Sequence, residues 1–103
     1  MFDIIREINN LEEKYGDEFN WGTEINREFY QSELAKETVL EPYQDVKALA
    51  KSYSNDDVLF LLDSKVYRIY HLTYSDGEPR YTEFLDGKKV VEYIENRFVD
   101  EYC

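Results

Sequence analysis

The sequence predicts an α+β domain with two N-terminal helices, an antiparallel sheet of three to four strands, and a C-terminal helix packed on that sheet. Three observations carry this. Apolar residues recur every three or four positions at both ends of the chain and switch to strand-like patterning in the middle. The only four Gly and two Pro punctuate elements and form no linker, so the 103 residues read as one domain, 1–103. With 43% apolar and 17% aromatic positions, the chain can bury a core despite 23 acidic side chains against 12 basic.

Phe2, Ile5, Ile8, Leu11 and Tyr15 form the apolar stripe of a first helix over about 2–15, and Gly16 stands where a left-handed cap is wanted. Trp21, Ile25 and Phe29 fall four apart, with Thr23 as the expected N-cap of a second helix over about 23–36. Val46, Ala48 and Ala50 alternate with Lys47, Leu49 and Lys51, which predicts a strand. A helix over 43–53 is the alternative, because Val46, Leu49 and Ala50 also fit a three-and-four spacing.

The run Val58–Leu62 is apolar throughout, as expected of a central strand covered on both faces. Asp63-Ser64-Lys65 then makes a three-residue turn into a strand from Val66 to Tyr74, giving an antiparallel hairpin. A second turn, Asp76–Pro79, leads to an edge strand, Arg80–Leu85. Asp86 is the expected N-cap of a last helix carrying Val90, Ile94, Phe98 and Tyr102, with Leu85 and Val90 as a hydrophobic staple.

The net charge of −11 is unevenly spread: residues 1–45 hold twelve acids and four bases. A pI near 4.4 argues against nucleic-acid binding, because phosphate contacts need clustered Lys and Arg. Mimicry of DNA by carboxylates is compatible with the acidity but needs a spatial array that a sequence does not display. No apolar run approaches the roughly 18 residues needed to span a bilayer, so no membrane partner is expected. The start, Met1-Phe2-Asp3-Ile4-Ile5-Arg6, has no basic region or cleavage site of a secretion signal, and one cysteine, Cys103, fits a reducing cytoplasm.

The stretch Ser54-Asn55-Asp56-Asp57-Val58-Leu59-Phe60-Leu61-Leu62, then Tyr70-His71-Leu72-Thr73-Tyr74-Ser75 and Pro79-Arg80-Tyr81-Thr82-Glu83, resembles a group of small uncharacterised bacterial proteins. These carry an NDDV-F-L segment followed by an HLT-Trp/Tyr strand and a Pro, and Tyr74 stands where many of them have Trp. The resemblance covers about residues 46–85 and implies an α+β fold without a known activity. In size and acidity the chain is also similar to bacterial immunity proteins that neutralise toxins.

His71 is the only histidine, so any Ser–His–Asp or Cys–His chemistry must use it, with Asp56 or Asp57 as its carboxylate. No G-x-S-x-G elbow accompanies it, and a structural histidine bonded to a nearby carboxylate or backbone group explains it better. Asn55-Asp56-Asp57 lacks the glycine and distal glutamate of a calcium loop, and one His with one terminal Cys offers no zinc set, so no metal or other cofactor is expected. A glycine loop for phosphate is absent as well: Gly16, Gly22, Gly77 and Gly87 are isolated.

The residues therefore lean away from an enzyme and towards a protein-binding module, with a small hydrolase built on His71 as the alternative. Glu24, Glu28, Glu33 and Glu37, spaced around the second helix, would steer a partner with a basic surface, in an immunity or inhibitor role for instance. Arg68, Tyr70 and Tyr74 share the strand face opposite His71, and would supply anchors if all three helices cover the other face. A homodimer through the Arg80–Leu85 edge is a third expectation.

Overall fold

The computed structural model describes residues 3–38, 44–53, 56–72 and 79–102, with residues 101 and 102 described by backbone alone. Helix α1 spans Ile4–Tyr15, helix α2 Arg27–Glu37 and helix α3 Gly87–Tyr102. Between them lie five strands: β1 Trp21–Gly22, β2 Val46–Ser52, β3 Asp57–Leu62, β4 Val66–His71 and β5 Arg80–Phe84. The strands form one antiparallel sheet in the order β1-β2-β3-β4-β5, so the α+β class holds and the sheet has one strand more than expected.

Helix α1 begins where the Asp3 carboxylate accepts the Arg6 N–H at 3.3 Å, and ends at Gly16, whose φ of 76° only glycine adopts readily. Ile4, Ile8 and Leu11 form its buried face. Helix α3 starts behind Asp86, whose Oδ1 accepts the Lys88 N–H at 2.9 Å. Leu85 is 77% exposed while Val90 is fully buried, so the expected staple does not shield Leu85.

Helix α2 departs from its expected span. Its N-cap is Asn26, whose side chain accepts the Phe29 N–H at 3.1 Å, and the Thr23 hydroxyl instead donates to Asn9 at 2.8 Å. Trp21 belongs to β1, pairing with Ser52, and Phe29 is 45% exposed, so the Trp21–Ile25–Phe29 stripe is not one helix face. A two-residue strand is too short to display a period, which is why the helical reading absorbed it.

Residues 46–52 form a strand, not the alternative helix. A bulge between Ala48 and Ala50 interrupts their alternation: Ala48 packs on one side of the sheet, Leu49 and Ala50 on the other. Gln31 of α2 accepts the Ala48 N–H at this bulge at 2.9 Å. The β3–β4 hairpin turns through Asp63 and Ser64, both left-handed with φ of 52° and 57°. The Asp63 carboxylate accepts N–H groups of Gln44 and Asp45 at 2.9 and 2.7 Å, and these bonds hold its pKa below the ordinary carboxylate range.

The helices divide between the two faces of the sheet. Helices α1 and α3 cover Ala50, Leu59 and Ile69, with Phe19, Trp21 and Phe98 between them. Helix α2 covers the opposite face through Leu34, against Ala48, Val58, Phe60, Leu62, Tyr70 and Leu72. The expectation that one face stays open for a partner is thereby corrected, and β3, buried on both sides, has the continuous apolar composition such a position demands.

Candidate functional site

Strand register assembles the first candidate. Asp57 of β3 pairs with His71 of β4, and His71 pairs with Arg80 of β5, so the three side chains form a row on the face that α1 and α3 cover. His71 Nδ1 lies 2.9 Å from Asp57 Oδ1. An ionised carboxylate only accepts, so Nδ1 carries the hydrogen and donates, which leaves Nε2 as the second functional nitrogen. The His71 side chain is 53% exposed and that of Asp57 18%. The row lines an open depression of about 270 Å³, together with Thr82 of β5 and Tyr93 of α3.

Asp56 does not reach the histidine; its backbone carbonyl accepts the Leu72 N–H at 3.1 Å. Among the described residues no three His, Cys, Asp or Glu side chains gather as a metal site. Thr73 and Ser75, the aliphatic hydroxyls nearest His71 in sequence, lie outside the described residues, as do Asn55 and Tyr74.

The predicted anchors form a second cluster, on the α2 side. The Arg68 guanidinium donates from Nη1 to the Tyr70 hydroxyl at 2.7 Å and from Nε to Glu83 at 2.8 Å, and stands 4.3 Å from the Tyr81 ring centroid. Burial disfavours its charge, but the bonds to Tyr70 and Glu83 outweigh that and raise its pKa. Tyr70 is only 2% exposed and packs edge-on against Phe60. Its ring is a core element here, and Arg68 is spent holding its hydroxyl. The half-exposed ring on this patch is Tyr81, on edge strand β5.

The four glutamates expected to steer do not share one helix face. Glu24 precedes α2, Glu28 is exposed in its first turn, and Glu33 is ion-paired with Lys36 at 3.3 Å. Glu37 is buried at 8% exposure. Only Glu24 and Glu28 remain as open acids.

A third surface was hidden from sequence reasoning. Tyr53, just after β2, is 60% exposed, and its hydroxyl lies over Gly22, where a Cβ would sit 1.8 Å from that oxygen. Two depressions meet at its ring. One, of about 450 Å³, is lined by Glu12, Glu13, Asp17 and Phe19; the other, of about 240 Å³, by Asn9, Glu12, Thr23 and Glu24. Among the described residues, none of these four carboxylates is ion-paired. Burial first, then the charges of Glu12 and Glu24, push the Tyr53 hydroxyl's pKa up. The one advance signal was the acid excess of residues 1–45; the ring at its centre comes from β1–β2 pairing.

No helix among the described residues is long and apolar enough to cross a membrane. Compared with known proteins, the chain matches no family model, no curated protein and no solved structure.

Proposed function

We propose that this chain is a protein-binding module for a partner with a basic surface, working in the cytoplasm, with an inhibitor or immunity role as its concrete form. One observation supports this above the others: an exposed aromatic ring, Tyr53, between two depressions rimmed by Glu12, Glu13, Asp17 and Glu24, none of them ion-paired among the described residues. A ring with a polar tip offers rigid contact area, while the surrounding carboxylates attract Lys and Arg and speed encounter. Two acidic basins flanking one ring suit a partner segment that places a cation on either side. Glu28, exposed on α2, adds to the same field.

The test uses the whole chain as bait in an extract of its own cell, beside a variant carrying Glu12→Gln, Glu13→Gln and Asp17→Asn. The expected partner is basic and binds the unaltered chain. Its association rate should fall about tenfold from low to physiological salt, and by a similar factor in the variant. Tyr53→Ala should leave that rate and accelerate dissociation. Equal capture by both baits, or a rate indifferent to salt, removes the reading.

A hydrolase using His71 is the second reading, favoured by the His71–Asp57 hydrogen bond. It is the weaker one: among the described residues no hydroxyl or thiol bonds the imidazole as a nucleophile would, and the depression is open. Strand β5 is a sheet edge, which supports pairing with a second copy as an additional mode.

A further inference from the structure

We infer that the depression beside His71 binds the phosphoryl group of a small phosphate monoester, held between the His71 imidazole and the Arg80 guanidinium. The site shares no lining residue with the Tyr53 corner and stands independently of the partner-binding reading.

The argument starts from register. Pairing of β4 with β5 sets Arg80 directly beside His71, as pairing of β3 with β4 sets Asp57 on its other side. Asp57 takes the Nδ1 hydrogen at 2.9 Å, so the nitrogen left for a ligand is Nε2. Arg80 is exposed and, among the described residues, its guanidinium makes no ion pair or hydrogen bond. Arg97, stacked 5.8 Å from the Tyr93 ring centroid, is likewise without an acidic partner there and brings a further positive charge to the Tyr93 side. In a chain of net charge −11, Arg80 in the row and Arg97 beside Tyr93 set two cations against the single carboxylate of Asp57. Thr82, exposed on β5, adds a hydroxyl-bearing side chain to the lining.

The chemistry selects the ligand. A guanidinium fork wants an oxyanion, and Nε2 wants a group that shares a proton with it. A phosphate monoester supplies both, because its second ionisation lies near pH 6, so one oxygen bears or receives a proton while the others face the arginine. A carboxylate is fully ionised at neutrality and offers no such proton. Asp57 acts as a positioning residue: it holds the tautomer, and balances the imidazolium when the proton rests on Nε2.

Because His71 is the chain's sole histidine, its ring resonances report on the site without ambiguity. The full chain is titrated with inorganic phosphate at constant ionic strength and neutral pH, with chloride and acetate as parallel arms. A saturable shift with phosphate alone is expected. Arg80→Gln should weaken it at least about tenfold and Arg80→Lys less. Asp57→Asn should move the ring nitrogen shifts away from the Nδ1–H tautomer and weaken phosphate binding, although loss of a negative charge by itself would strengthen it. The inference is overturned by a drift that chloride reproduces, by equal saturation with acetate, or by an Arg80→Gln chain that binds unchanged. Tighter binding in Asp57→Asn overturns the positioning role.

Discussion

The two faces of the sheet are held by different means. On one, α1 and α3 lie side by side over a continuous apolar layer in which Phe98 meets Tyr15 at 4.7 Å and Phe19 at 5.4 Å between ring centroids. The helices are also tied at the surface, where Glu95 accepts from Lys14 Nζ at 2.8 Å and from the Tyr15 hydroxyl at 2.5 Å. On the other face one short helix, α2, has Leu34 as its single fully buried apolar side chain. Beyond its reach, Arg68, Tyr81 and Glu83 cover the sheet with a polar and aromatic lattice. One face is closed by hydrophobic burial, the other by a small apolar anchor plus directional bonds.

Four substitutions break or sharpen that contrast. Phe98→Ala removes the ring that joins α1, α3 and the segment before β1, and should lower global stability by about 3–5 kcal/mol in denaturant unfolding. Leu34→Ala should cost about 2–4 kcal/mol, expressed locally: amides of α2 exchange faster while those of α1 and α3 keep their protection. Uniform acceleration across all three helices would show the faces to be one cooperative unit.

Glu95→Gln probes the tie between α1 and α3. The hydrogen bonds from Lys14 and Tyr15 hold the Glu95 carboxyl below its ordinary 4.5. A group whose folded pKa is depressed contributes stability that is complete above the unfolded value and lost as pH falls through the folded one. The parent chain should therefore lose more stability than Glu95→Gln when acidified from about pH 5 downwards, with the curves parallel above it. Ser64→Gly is the smallest effect. Its left-handed φ of 57° is a conformation glycine adopts freely, so stability should rise by about 0.5–1 kcal/mol. Asp63, equally left-handed, should not tolerate the change, because its carboxylate caps the Gln44 and Asp45 amides.

Much of the architecture was legible. Val58–Leu62 announced a strand covered on both sides, and the three-residue turn at 63–65 announced the hairpin that follows. Gly16 and Asp86 marked helix ends where the structure has them. The parity that puts His71 and Tyr70 on opposite faces also held. Illegible were β1, too short for a period, and the bulge at Ala48–Ala50, where a run of small and apolar residues has no polar position to reveal the shift. The candidate sites were harder still. His71 was visible as a lone imidazole, but the choice of Asp57 over Asp56 follows from pairing register. Tyr53 carries no motif of its own, and its acidic surroundings come from α1, the turn beyond it and the segment after β1.

By itself the sequence determined the α+β class, the three helices and the hairpin, because periodicity, caps and turns act within a few residues of each other. Only the tertiary structure decided that α2 crosses to the far face, turning Tyr70 from surface to core, and that Gly22 meets Lys51 so that Tyr53 stands in a ring of acids. Such outcomes depend on which faces have apolar area left to cover once the whole sheet has formed, a property of the assembled layers that no local stretch encodes.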